Sequence, residues 1–244
     1  MIKFFRRIRQ KLLSENKFTS YLLYAIGEIV LVVFGILIAL SINNWNQERI
    51  YNNERAYLIT ELLTEFENNL KHIKNVTSKN QQYLSKFDTV LERLPSLKFP
   101  GDEKKLSELL VGSAVIGFFT FNPSEGMLNS ISNTSNFQHI NDKSLRRNLL
   151  NWSGYINDVK ENENMLFSYR STMADYLSSF VTLGNQETVR NSNIKGGIVA
   201  NPLELRNRLR YWISLKYQFL RETKDLSKKM EEIIEQLKQE LNNQ

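Results

Sequence analysis

Residues 21–42, YLLYAIGEIVLVVFGILIALSI, hold one charged side chain, Glu28, in twenty-two positions and are otherwise almost wholly apolar. As a helix rising about 1.5 Å per residue, such a run covers about 30 Å, the thickness of a bilayer's hydrocarbon core. Tyr21 and Tyr24 stand at one end and Trp45 at the other, where amphipathic rings favour the headgroup region. The pattern predicts a transmembrane helix. The competing reading is a cleaved signal peptide with Ala39-Leu40-Ser41 as its small-residue site. Against it, the charged leader is long for a signal peptide and the apolar run outlasts an ordinary signal core.

Charge fixes the expected orientation. Residues 1–20 carry Lys3, Arg6, Arg7, Arg9, Lys11 and Lys17 against Glu15 alone, whereas the other 26 Lys and Arg face 25 Asp and Glu. Basic residues beside a span stay on the cytoplasmic side, so the amino end is expected in the cytoplasm and the long carboxyl-terminal part outside the inner membrane, in the periplasm. Ile2, Phe5, Ile8 and Leu12 recur at helical spacing, which predicts an interfacial helix with its basic residues on anionic lipid. The near-neutral remainder offers no nucleic-acid surface. The chain has no cysteine and only two histidines, His72 and His139, which removes disulfides, thiol nucleophiles and a His-rich metal site.

Beyond the span, helical periodicity dominates and the predicted fold class is all-α, a single amino-terminal span continuing into an elongated bundle of long helices. Neither Gly nor Pro occurs in residues 41–94, and Leu62, Phe66, Asn69, Ile73, Val76, Asn80, Tyr83, Phe87, Val90 and Leu94 alternate four and three residues apart. That is the spacing of packed long helices, and it predicts a stalk helix over 43–94. Asn69 and Asn80 interrupt the seam and are read as register-setting polar residues, with 77–82 as its weakest part. Pro95 and Pro100-Gly101 end the helix, and a helical period resumes over 103–116. Helix starts are predicted at Asn122-Pro123, at Asn141 or Asp142, and at Asn201-Pro202. An apolar series from Leu145 to Phe180 predicts one long helix, and Trp212, Lys216, Phe219, Thr223, Leu226, Met230, Ile233 and Leu237 predict another running alongside the stalk. Residues 184–201 have loop composition, long for a connection and open to a role in binding.

The leader and span, MIKFFRRIRQKLLSENKFTSYLLYAIGEIVLVVFGILIALSINNWNQER, resemble the amino-terminal signature of a family of uncharacterised membrane-anchored proteins from Bacteroidota. Residues 127–152, MLNSISNTSNFQHINDKSLRRNLLNW, resemble that family's interior pattern more loosely, and the helices after Trp152 share only general helical character with it. The resemblance implies a single-pass inner-membrane protein with an exterior helical domain. It supplies no activity, and members usually carry Gln or a similar polar residue where Ser41 stands.

Glu28 is the most informative single residue, because a carboxylate in hydrocarbon costs about 3 kcal/mol on insertion scales and is commonly paired, protonated or turned toward protein. Gly27, Gly35 and Ala39 lie on one face beside it, and small residues at that spacing let spans approach closely. Three readings follow: a carboxylate that snorkels to the interface, one beside a packing contact between spans, or a proton-responsive group as in ion-driven assemblies. No nucleophile, metal-ligand or cofactor pattern is present, Glu161 and Glu163, like Glu231, Glu232 and Glu235, have the spacing of solvated helix faces, and His72 is taken as a surface residue. The expected function is a non-catalytic, membrane-anchored scaffold or interaction subunit that associates with itself or with a membrane protein. A ligand-sensing or ion-coupled subunit using Glu28 is the rival, with the aromatic exterior helices forming the pocket.

Overall fold

The computed structural model describes residues 18–112, 117–132, 137–138, 140–181 and 199–242, the side chains of 18, 20, 21 and 112 excepted. The basic leader with Arg6, Arg7, Arg9, Lys11 and Lys17, His139, and all but the last three residues of the 184–201 stretch lie outside the described residues. The fold is all-α: α1 (Phe18–Arg93), α2 (Glu103–Gly112), α3 (Gly126–Ser132), α4 (Lys143–Leu150), α5 (Trp152–Ser178) and α6 (Pro202–Asn242), with a 3-10 turn at Leu94–Ser96. The chain divides into two compact units, Met1–Arg55 and Ala56–Gln244, and α1 contributes to both.

In the first unit, α1 carries an eighteen-residue window of mean hydropathy 2.7, none of it buried. One helix is thus long and apolar enough to cross a membrane. The large apolar side chains from Leu22 to Ile42 stand exposed around the whole helix, as expected of a segment whose solvent is hydrocarbon.

In the second unit the same helix has a wet face and a dry one. Leu62, Phe66, Asn69, Ile73, Val76, Asn80, Phe87, Val90 and Leu94 are buried, and only Tyr83 of the predicted seam is half-buried. The expected weakness at 77–82 does not appear, and the helix runs through it unbroken. Every position of the α6 series from Trp212 to Leu237 is buried as well. Three side-chain pairs give the register of the two helices: Glu67 with Lys238, Lys74 with Glu231, and Asp88 with Tyr217. Each step of seven or fourteen residues forward on α1 is matched by the same step backward on α6. The helices therefore run antiparallel, with the heptad as their common unit.

The ends of the other helices follow from local chemistry, with two departures from expectation. Asp142 caps α4 by accepting from Ser144 N and Leu145 N, and Asn201 Oδ1 accepts from Glu204 N ahead of α6. Helix α2 follows its predicted period as far as Gly112, and the last four residues of that range lie outside the described ones. The series from 145 to 180 is two helices, parted at Asn151. The Asn151 N–H is shared between Arg147 O and Leu149 O in a turn, which suits a residue of poor helix propensity. Helix α3 begins at Gly126, later than the Asn122-Pro123 signal, because its free N–H groups are taken by a carboxylate from α1 rather than by the preceding residues.

The largest buried side chains, Trp152, Trp212, Phe66, Phe87, Phe121 and Phe219, come from α1, α5, α6 and the segment between α2 and α3. Phe66 and Trp152 meet with ring centres 4.8 Å apart. Each such ring removes about 150–250 Å² from water, so these few residues dominate the apolar stabilisation.

Candidate functional site

Two groups of residues stand out, one in each unit. In the first, Gly27, Glu28, Gly35 and Ala39 lie within one broad face of α1. A methyl group built at Gly27 or Gly35 would meet nothing within 4 Å, so the backbone there is open to close approach by another helix. Glu28 and Tyr24 are half-exposed, Ala39 is exposed, and Trp45 is exposed with the Arg49 guanidinium 5.5 Å above its ring. The side chain of Tyr21 lies outside the described ones.

The second group is built around residues 117–125, a non-helical strap between α2 and α3 that is held by side chains of the surrounding helices. Lys216 Nζ on α6 donates to Gly117 O at 2.7 Å. Asn80 Nδ2 on α1 donates to Phe119 O at 2.9 Å, while Phe119 N donates back to Asn80 Oδ1 at 3.0 Å. Phe121 N donates to Glu163 Oε1 on α5 at 2.6 Å. Asn69 repeats the two-way pattern one stalk level away: its Nδ2 donates to Ser124 O at 2.7 Å and its Oδ1 accepts from Ser124 N at 2.8 Å. Glu65 then accepts from Met127 N at 2.8 Å and from Leu128 N at 3.3 Å, which caps α3 from a distance.

This arrangement is a backbone clamp. A primary amide presents a donor and an acceptor side by side, the complement of one residue's C=O and N–H, so an Asn can stand in for a neighbouring strand. Buried peptide groups need such partners, since each one left bare costs about 1–3 kcal/mol. Phe121 fills the core with its ring 5.4 Å from that of His72, and Phe119 lies 5.3 Å from Tyr83 with the Lys79 ammonium over its face.

Two clamp residues are ionisable and buried. Desolvation pulls the Lys216 ammonium down to about 8 from an ordinary 10.5, while its Nζ lies 5.1 Å from the centre of the Trp212 ring and 5.6 Å from that of Phe87. Burial pushes the Glu163 carboxyl upward, only partly offset by the Phe121 N–H and by Lys160.

The structure corrects the reading of several residues. Glu163 is 6% exposed, not part of a solvated face, although Glu161, Glu231, Glu232 and Glu235 are exposed as expected. His72 is half-buried against Phe121 rather than free on the surface. Asn69 and Asn80 serve the backbone of their own chain. Among the aromatic residues, Trp152, Trp212 and Phe219 are core, Tyr155 and Tyr169 are half-buried, and Phe167, Tyr211 and Tyr217 are exposed.

Between residues 74–88 of α1 and 217–231 of α6 runs an open groove of about 990 Å³, crossed by the Lys74–Glu231 pair. Among the described residues no group of three or more metal-ligating side chains is placed to hold an ion.

No curated protein and no solved structure matches the chain. A family model described as a family of unknown function, DUF6090, matches residues 28–167, which takes in the apolar helix from Glu28 onward, the strap and most of α5. That match covers more than half of the sequence, and the chain belongs to this family of unknown function.

Proposed function

We propose that the protein is a non-catalytic, membrane-anchored helical subunit that holds its second unit at the outer face of a bacterial inner membrane and associates there with itself or with a membrane protein. One observation carries the reading: an apolar helix none of whose most apolar window is buried among the described residues, joined to a unit that buries its own core. The open backbone at Gly27 and Gly35 supports association through that face, with Glu28 beside the contact. The basic charge of the leader supports an amino end in the cytoplasm and a periplasmic second unit, as in the Bacteroidota proteins that the leader resembles. Neither nucleic acid nor a cofactor enters this account.

Alkaline extraction and detergent sizing test it. The full chain is expected to stay with the membrane pellet, to lose a carboxyl-terminal tag to protease added from the periplasmic side, and to size as a multiple of 28.6 kDa after correction for detergent. Gly35→Leu, at a position where an added Cβ meets nothing within 4 Å, is expected to shift that size downward. A soluble product trimmed behind Ser41 ends the anchor reading, and a strict monomer ends the self-association reading.

A further inference from the structure

His72, Lys79 and Tyr83 turn toward the strap, and Lys74, Gln81 and Asp88, on the opposite side of α1, line the open groove that α1 shares with α6. On α6 the matching stripe is Tyr217, Lys224 and Glu231, again seven residues apart. Each helix therefore carries a second stripe beside its buried seam. Leu84 and Leu220 form an apolar floor between the stripes, and among the described residues only α1 and α6 line the groove.

Its own chain leaves this groove incomplete. Among the described residues Arg221 and Lys224 have no ion-pair partner, and the Thr77 hydroxyl is buried without a hydrogen bond. A polar atom in that state costs stability until a partner reaches it. The lining carries four basic side chains against three acidic ones, so it favours a surface of alternating charge over one of a single sign.

We propose that the groove seats the same groove of a second copy, the two chains packing about a two-fold axis that runs along it. The inference rests on the association reading above, since copies tethered to one membrane meet at high effective concentration. Rotation about such an axis moves no residue along the groove. Helix α1 of one copy therefore meets α6 of the other in the register that the two already keep within a chain, and every neighbour in the resulting four-helix layer is antiparallel. Lys74 of each copy faces Glu231 of the other, which turns two ion pairs into a ring of alternating charge. At the next levels Thr77 faces Lys228 and Gln81 faces Lys224 of the other copy, while Arg221 comes within one turn of Asp88. The same axis keeps both α1 helices pointing one way, as in two chains inserted alike in one membrane. A two-fold across the groove would oppose them.

The absence of cysteine makes a direct test possible. One full-length chain with Gln81→Cys is co-expressed with a differently tagged chain with Lys224→Cys, and a short bifunctional thiol reagent is added to the membranes. Both positions are exposed, as are Lys74 and Glu231, so the substitutions leave the core of the unit untouched. The expected product is a covalent species of twice 28.6 kDa containing both tags. Its yield is expected to fall several-fold when Lys74→Glu is added to both chains, or Glu231→Lys to both, and to return when one chain carries Lys74→Glu and the other Glu231→Lys. A missing mixed species, or a yield indifferent to these reversals, overturns the proposal. So does a product with one tag at a mass other than twice 28.6 kDa, which seats a different protein in the groove. Sizing the same samples separates the two failures: dimers without the mixed species leave association through the span standing, and monomers remove it too.

Discussion

Two stretches of one helix differ in nothing that a backbone can report and in everything that a solvent can. Over residues 22–54 of α1 no described side chain is buried, although the segment contains an eighteen-residue window of mean hydropathy 2.7. Over residues 55–93 the same helix is studded with Glu, Lys and Asn, and yet it supplies a continuous buried seam. Burial therefore follows the spacing of apolar residues rather than their abundance. A helix apolar all round has no side to turn toward a protein core, while one apolar at alternating steps of four and three has only one.

Core truncation is the strongest way to probe that contrast. Phe66→Ala opens a cavity against Trp152 and is expected to cost about 3–5 kcal/mol in the denaturant-induced unfolding of the second unit. A loss below about 1 kcal/mol would mean that the seam is not the core of that unit.

A matched pair sharpens the comparison. Leu62→Ala, at a fully buried position, is expected to remove about 2–5 kcal/mol, whereas Leu31→Ala, at an exposed one, leaves the same unfolding transition unmoved. Equal effects from the two would break the distinction between the stretches.

Proton linkage gives a smaller signal. Lys216 is charged in both states below about pH 8, where its desolvation cost is fully present; above that, and up to its ordinary 10.5, the unfolded chain keeps a proton that the native chain has lost. Stability is therefore expected to rise with pH across that interval, by up to about 3 kcal/mol, and to stop rising in Lys216→Met. The half-buried Tyr169 and Tyr176 hydroxyls, pushed above an ordinary 10.0, oppose the rise at its upper end, so the slope is best measured between about pH 8 and 10. Glu163 acts the other way: its raised carboxyl gives stability that is full at acid pH and lost as pH climbs through its native value, and Glu163→Gln should flatten that decline.

The weakest effect belongs to the surface. Lys74 and Glu231 are 2.6 Å apart but each is half or more exposed, so Lys74→Ala is expected to change stability by less than about 1 kcal/mol. A larger loss would make the pair a true register device between α1 and α6.

Much of the architecture was legible from the residues alone, because it rests on short-range rules. The α1 and α6 seams, the Asp142 cap and the Asn201-Pro202 start all involve residues within a turn or two of one another. The strap was not legible, and the reason is distance along the chain. Asn80 meets a segment 39 positions away, Asn69 one 55 away and Lys216 one 99 away, and nothing local marks an Asn as a clamp rather than a flaw in a seam. Lys216 gave the best available hint, a cation at a core position between Trp212 and Phe219. Glu163 gave none, since it stands in the polar run Glu161-Asn162-Glu163-Asn164, whose composition looks like an ordinary solvated helix face.

Glu240, in the last turns of α6, accepts from the backbone N–H groups of Asn141 and Asp142, where α4 begins. Synthesis reaches that carboxylate 99 residues after the peptide group it serves. A chain emerging from its amino end must carry the start of α4 without this acceptor until α6 has been made, so the two N–H groups wait on the far end of another helix.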